Sequence, residues 1–455
     1  MTTAPALTKE LLVQILAEYG EREANEIAER VDSLELAWLV HSLEERYGLK
    51  LDLDDVQLAR MTTLDDALAI LGKARRHIPR KPVVVTGLSV TTAFGRGLEA
   101  LRQGLAAGQP AFGPVTRFEV GKRRVDRAAT LPGDPNLIDE VTDAVTQAIG
   151  QAGLGPGTTA RTPLLFARHA DQAPPRLTLP EHHAQAPHTS GTQIAKQCGL
   201  RDAARTYTNA CVAASSAIAD AAALISAGRE ERVVVAAGYF VDADTYALFD
   251  AGRALATDGH LRSFSQDRKG LLLGDGLGAV VLESTESAAA RGAAPITELL
   301  GWGRAGDAFH VCQPHPEGLG MAAAIEAALG RAELTPDGIG YINAHGTGTP
   351  LNDSAETAAI RRAFGEAART VPVSSTKSLH GHALEASGVV ELAVSVLALQ
   401  EGTVPVNAGY LGPDPACRLN LVVDAPRRVA AQAVLSLNAA FGGANTALVL
   451  GAVAA

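Results

Sequence analysis

What most limits the folds open to this chain is an alternation that begins at residue 82. Pro82-Val-Val-Val-Thr-Gly87 is a short, apolar, β-branched run closed by glycine, the pattern of a buried strand. Similar runs recur at 164–168, 233–238, 278–283, 340–344, 371–374, 434–437 and 445–451, separated by alanine-rich helical stretches. Strands apolar along their whole length need cover on both faces, and intervening helices supply it. The expected architecture is therefore α/β, with mostly parallel, covered sheets. Two glycine-punctuated halves, about 82–290 and 295–455, fit the pattern, although periodicity alone does not establish them. Residues 169–190 are polar, proline-rich and aperiodic, which reads as a loop of a length that often carries function.

The chain before residue 82 has a different character. Residues 8–20 and 33–47 read as amphipathic helices, and a shorter helical pattern covers 64–72. In the second helix Leu36, Leu39, Val40, Leu43 and Tyr47 form one apolar stripe, with Asp32 and Ser33 as its polar start and Gly48 as its stop. Residues 73–81 are basic, contain a proline and read as an exposed linker. Charge separates the two parts as well. Residues 1–66 hold 15 acids and six bases, a net of −9, whereas the whole chain carries −10. An acidic module thus precedes a nearly neutral one, which argues against a partner held through nucleic-acid phosphates.

At 47% hydrophobic and 20% charged residues, the composition is that of a soluble globular protein. Four cysteines without C-x-x-C spacing speak against a disulfide framework or a structural zinc. No stretch resembles a secretion signal or reaches the ~18 apolar residues of a membrane span, so the expectation is a cytoplasmic protein.

Three stretches carry chemistry. In Thr208-Asn-Ala-Cys211-Val-Ala-Ala-Ser-Ser a cysteine opens an alanine-rich helix, where the helix dipole lowers a thiol's pKa. Taken alone, such a cysteine is more often a buried structural residue. Tyr341-Ile-Asn-Ala-His345-Gly-Thr-Gly-Thr-Pro350 runs a strand into a glycine-rich loop with a histidine, and Ser375-Thr-Lys377-Ser-Leu-His380-Gly-His382-Ala-Leu-Glu385 is a second histidine loop. Either histidine alone is more often structural; with the cysteine they form a plausible covalent acyl-transfer site. Gly274-Asp-Gly-Leu-Gly278 has no accompanying dinucleotide fingerprint. His182, His183 and His188 lack carboxylate or cysteine partners at ligand spacing, and no metal is expected.

Together with Asp307-Ala-Phe-His310, Asp267-Arg268, Asn352-Asp353, Glu356 and Phe441-Gly-Gly443, these stretches resemble the β-ketoacyl synthase family of fatty acid and polyketide assembly over residues 82–455. The resemblance implies a thiolase-like fold, a duplicated layered αβαβα structure, normally dimeric. It implies that Cys211 takes the acyl group as a thioester, and that His345 and His382 stabilise the enolate formed as a malonyl extender loses carbon dioxide. Lys377 would sit behind the histidines with Glu356. Thr347 and Thr349 match positions that bind a pantetheine arm. Residues 1–72 resemble a small all-α acyl carrier protein, on acidity, size, helix pattern and Val31-Asp32-Ser33-Leu34-Glu35. That resemblance implies 4'-phosphopantetheine, covalently bound on Ser33.

Four positions depart from the family pattern. Ala439, two residues before Phe441, stands where a phenylalanine gate is usual, which implies a wider acyl pocket. Glu385 replaces a glycine, and either raises the pKa of His382 or faces solvent. Residues 167–210 are shorter and richer in proline than the family stretch, and Cys312 replaces a threonine. The expected protein is a carrier–ketosynthase fusion performing decarboxylative Claisen condensation. Its expected partners are acyl and malonyl thioesters on carrier proteins, a phosphopantetheinyl transferase, and a second ketosynthase-like chain in a homodimer or heterodimer. A Cys211-dependent acyltransferase to an alcohol or amine, and a non-condensing scaffold that sets chain length, remain open alternatives.

Overall fold

A computed structural model describes residues 7–19, 22–47, 49–51, 53–77, 81–169 and 187–453. The chain divides into two compact units, Met1–Lys81 and Pro82–Ala455.

In the first unit, α1 (Lys9–Tyr19), α2 (Ser33–Tyr47), α3 (Asp55–Arg60) and α4 (Leu64–Ala74) enclose a core built from Leu12, Ile15, Leu16, Leu39, Leu43, Leu64 and Leu71. Of the α2 stripe, Leu36, Leu39 and Leu43 are buried and Val40 is half-buried; Gly48 lies outside the described residues. Helix α3 was not evident from periodicity, because six residues are too few to show one. It is started by Asp54, whose carboxylate accepts from the Gln57 N–H while Gln57 returns a bond to the Asp54 N–H.

Two expectations need correction here. The unit is not all-α, since Leu49–Leu51 pairs antiparallel with Arg75–His77. The segment read as a linker from residue 73 also starts inside α4 and continues as that strand. A basic, polar composition describes side chains, whereas strand pairing is a bond between main chains that such side chains do not prevent. Of the rest of the linker, residues 78–80 lie outside the described residues.

The second unit contains ten principal strands: β1 (Val83–Thr92), β2 (Pro163–Arg168), β3 (Arg201–Tyr207), β4 (Arg232–Tyr239), β5 (Gly276–Ser284), β6 (Thr297–Gly306), β7 (Tyr341–Asn343), β8 (Pro372–Ser374), β9 (Ala433–Ala440) and β10 (Ala444–Gly451). Their hydrogen-bonded order is β3-β2-β4-β5-β1 followed by β6-β10-β9-β7-β8. Counting strands from the start of each half, both halves read 3-2-4-5-1, so the two halves are a structural duplication. They join where β6 pairs antiparallel with β1, Thr297 opposite Val85 and Leu299 opposite Val83.

Parallel pairing is confined to the outer strands of each half; β5 and β10 run antiparallel to both neighbours. That corrects the expectation of mostly parallel sheets. An apolar run reports that both faces are covered, and direction is decided by the connections. Strands β3 and β6 were missed because β3 is polar (Arg201, Asp202, Arg205) and β6 is buried only on alternate residues.

The helices form layers on these sheets. Along β4, Val234 and Ala236 face α5 (Leu137–Gln151) and α6 (Pro187–Gln197), while Val233 and Val235 point the other way. In the second half, Leu435 and Val449 pack with α8 (Leu319–Ala332) and α9 (Pro350–Phe364). Between the sheets run α7 (Ala213–Ser226) and α10 (Ser387–Glu401), buried on nearly every side. A helix apolar all round belongs inside a protein. Small residues let these two approach closely, and a Cβ added at Gly388 would lie 2.4 Å from the Ser215 nitrogen. The result is the five-layer αβαβα order. Helix α6 begins at Pro187, so the stretch read as loop to residue 190 ends earlier; residues 170–186, with His182 and His183, lie outside the described residues.

Candidate active site

Cys211 lies in the single 3-10 turn Ala210–Val212 that leads into α7. Ala210 has φ 53, a left-handed conformation that costs a non-glycine residue about 1–3 kcal/mol and that is typical of functional turns. Facing it is the loop before α10. There the His382 N–H donates to the Leu272 carbonyl (2.8 Å) and its carbonyl accepts from the Gly274 N–H (3.0 Å). A Cβ at Gly274 would sit 2.1 Å from the His380 carbonyl oxygen. The glycine-rich stretch at 274–278 therefore clamps the histidine loop by close backbone approach.

This clamp brings His382 Nε2 to 3.1 Å from Cys211 Sγ, while Nδ1 lies 3.0 Å from Ser387 Oγ at the start of α10. The His345 ring meets the His382 ring nearly edge-on, with centroids 5.3 Å apart at 83°, and its Nδ1 is buried without a hydrogen-bond partner. Main-chain bonds fix the His345 loop: Glu356 accepts from the His345 N–H (2.6 Å) and from the Gly346 N–H (2.8 Å). The structure thus unites Cys211, His345 and His382.

Lys377 differs from the reading that paired it with Glu356. Its ammonium, fully buried, forms an ion pair with Glu391 on α10. The other Glu391 oxygen accepts from Asn438 Nδ2 at 2.5 Å. Glu391 and Asn438 were missed, although one signal was available. Glu391 is the single charge within Gly-Val-Val-Glu-Leu-Ala-Val-Ser-Val, and a lone charge in an apolar helix needs a buried partner.

Burial dominates the electrostatics. It holds both His345 and His382 well below the usual histidine range, with the Lys377 charge acting in the same direction, so both rings are neutral N–H donors at neutral pH. Cys211 is pushed up to about 12, first by burial and then by the negative charge of Glu385. The expectation that the helix dipole lowers its pKa is therefore overturned: loss of hydration outweighs the dipole. Glu356 is likewise raised by burial, to about 7.

Glu385 follows neither of its two expected courses. It is buried rather than solvent-facing, it does not act on His382, and its Oε1 lies 2.8 Å from His169 Nδ1. The remaining positions fall around this centre. Thr347 and Thr349, on the loop entering α9, hydrogen-bond each other at 2.9 Å. Ala439 is half-buried near the end of β9, a strand that packs on the cysteine turn. Phe441 is 55% exposed and stacks on Phe249 with centroids 6.2 Å apart. Cys312 is exposed.

Ser33, in the first unit, is the first residue of α2 and is not its cap. Asp32 Oδ1 accepts from the N–H groups of Leu34 and Glu35 (2.8 Å each), and the Glu35 carboxylate accepts from the Asp32 N–H. The Ser33 hydroxyl is exposed and takes no part in this box. Among the described residues, no group of three or more histidines, cysteines or carboxylates is placed to hold a metal ion, and no helix is long and apolar enough to cross a membrane.

Family models for the N-terminal domain of β-ketoacyl synthase match residues 152–288, and those for the C-terminal domain match 296–410. Nodulation protein E of Rhizobium meliloti is 41% identical over 398 residues, spanning 80% of this chain and 98% of that protein. The 3-oxoacyl-[acyl-carrier-protein] synthase 2 of Synechocystis is 33% identical over 415 residues, 82% of this chain and 98% of that one. Among solved structures, a type II polyketide synthase acyl-carrier protein in complex with its ketosynthase, bound to the hexaketide, superposes with a TM-score of 0.76. It is 26% identical and covers 83% of this chain and all of that one.

Proposed function

The chain belongs to the β-ketoacyl synthase family of fatty acid and polyketide biosynthesis, and from that premise we propose that it extends an acyl chain on Cys211 by decarboxylative Claisen condensation. The observation that carries this reading is the buried trio, with His382 Nε2 3.1 Å from the Cys211 sulfur and the His345 ring edge-on to it.

The thiol, neutral at rest, passes its proton to His382 as sulfur attacks an acyl thioester. The S–C bond to Cys211 forms, and the donor thiolate leaves with that proton. The malonyl-type extender then breaks its bond to the carboxylate, carbon dioxide departs, and the electron pair becomes an enolate. Its oxygen takes hydrogen bonds from the neutral N–H groups of His345 and His382, fixed donors that need no reorganisation. The enolate carbon attacks the acyl carbonyl, a carbon–carbon bond forms, the C–S bond breaks, and the expelled Cys211 thiolate takes up one proton from solvent to restore the resting thiol. A ring neutral at rest suits this work: a lasting charged imidazole in so buried a place would be costly, and the charge His382 gains during acylation passes at once to the leaving thiolate. Burial keeps both rings unprotonated, and the charge of Lys377, itself paired with Glu391, acts in the same direction.

The first unit is proposed to be the carrier. Ser33 is exposed at a helix N-terminus and relieved of capping by Asp32, which suits a phosphodiester there. The 4'-phosphopantetheine arm supplies, when bound, a terminal thiol that holds acyl groups as thioesters. Thr347 and Thr349 are proposed to hydrogen-bond such an arm in the second unit. A phosphopantetheinyl transferase, malonyl and acyl carriers, and a second ketosynthase-like chain complete the proposed partners, in the cytoplasm.

The test loads the full chain at Ser33, supplies an acyl donor and a malonyl carrier, and follows intact mass. A Cys211-dependent adduct followed by carbon dioxide release and a β-ketoacyl product is expected. An adduct without decarboxylation would point to transfer onto a heteroatom, and no adduct to a non-condensing scaffold.

A further inference from the structure

Two sets of polar groups converge on Cys211, and condensation uses only one of them. The unused set belongs to the turn Leu384–Ala386, which packs on the cysteine turn and on the C-terminal ends of β2 and β4. Glu385 is 2% exposed there. One carboxylate oxygen bonds His169, the residue that follows β2, and the other, Oε2, is buried without any partner. That turn packs directly on the turn carrying Cys211, which places the carboxylate beside the nucleophile, and its negative charge acts on both Cys211 and Tyr239. Leu384, just before it, is held at φ 40, a strained conformation for leucine.

A purely structural pair is a poor account of this arrangement. Leaving a buried carboxylate oxygen unpaired costs the full desolvation of that atom, and an apolar residue would fill the space without that cost. An unsatisfied buried acceptor beside a nucleophile is explained if a ligand brings the missing donor.

We propose that Glu385, oriented by His169, determines acyl specificity by accepting a hydrogen bond from a hydroxyl or amino group on the acyl chain that Cys211 receives. The inference rests on Cys211 being acylated, as proposed above. An unsubstituted alkyl chain would leave Oε2 unpaired, and sites built around a polar contact reject the analogue that lacks it far more strongly than apolar pockets reject a methylene.

The test uses the full chain with N-acetylcysteamine thioesters of butyryl, 2-hydroxybutyryl, 3-hydroxybutyryl and 3-aminobutyryl groups, following Cys211 acylation by intact mass. At least one donor-bearing chain should react about tenfold or more faster than butyryl, the scale of one hydrogen bond to a charged group. The hydroxy and amino arms tell which donor is taken. In Glu385→Ala that ratio should fall toward one. In Glu385→Gln, which keeps size and so folding, the amino preference should fall most, because a neutral amide loses the attraction for an ammonium. Equal wild-type rates for all four chains, or a ratio unchanged in both variants, would overturn the inference and leave acylation standing. No adduct from any chain would instead remove the ketosynthase reading together with this one.

Discussion

At Cys211 two electrostatic effects oppose each other. The N-terminus of α7 favours a thiolate by about 0.3–2 kcal/mol, whereas burial strips the thiolate of water and Glu385 repels it. Burial prevails, and the thiol is pushed up to about 12. The consequence is measurable. Alkylation of Cys211 by iodoacetamide, followed by peptide mass spectrometry, should rise about tenfold per pH unit from pH 7 through pH 10 without a plateau, because the reactive thiolate fraction keeps growing below the pKa. A plateau near neutrality would show a thiolate stabilised at rest. The neutral histidines imply the complementary result: neither ring should contribute an acid limb to condensation near pH 6.5, so any fall near pH 7 should disappear in Glu356→Gln, since Glu356 is the neighbour raised to about 7. Ala439 offers a second test at this scale. A methyl there leaves room beside the cysteine turn, so Ala439→Phe should shift acylation toward shorter chains, and an unchanged chain-length profile would refute the wider pocket.

Helices place these groups. His382 is held at one nitrogen by Ser387, the first residue of α10, and α10 reaches that position because Gly388 lets its backbone touch α7. Cys211 and His382 are thus each attached to one of the two central helices, and their 3.1 Å separation is set by helix packing. In the first unit, α2 separates its cap, Asp32, from the proposed attachment site, Ser33. Asp32→Ala removes the acceptor of two N–H groups and should destabilise that unit by about 0.5–2 kcal/mol. Ser33→Ala touches no cap bond, so it should change stability by no more than about 0.5 kcal/mol while abolishing phosphopantetheine incorporation. Thermal melting combined with intact mass after transferase treatment reads both effects. Loss of stability in Ser33→Ala would return Ser33 to a structural role.

At the scale of the whole molecule, each unit closes its own hydrophobic core: Leu12, Leu39 and Leu71 in the first, and the layers around α7 and α10 in the second. Unfolding should therefore occur in two separable transitions, and residues 82–455 produced alone should keep the Cys211 acylation rate of the full chain; a single transition in calorimetry would contradict this. Much of this organisation was already present in local pattern. Apolar β-branched runs marked most strands, alanine-rich stretches marked the central helices, charge marked the boundary near residue 81, and the glycine-flanked motifs marked Cys211, His345 and His382. Local pattern determines these because periodicity and backbone conformation are properties of neighbouring residues. Strand direction, the 3-2-4-5-1 repeat in each half, the pairing of Lys377 with Glu391, the raised pKa of Cys211 and the His169–Glu385 contact were decided only by the tertiary structure. Each depends on groups far apart in the chain, 216 residues in the case of His169 and Glu385, and on a burial that no short stretch of sequence encodes.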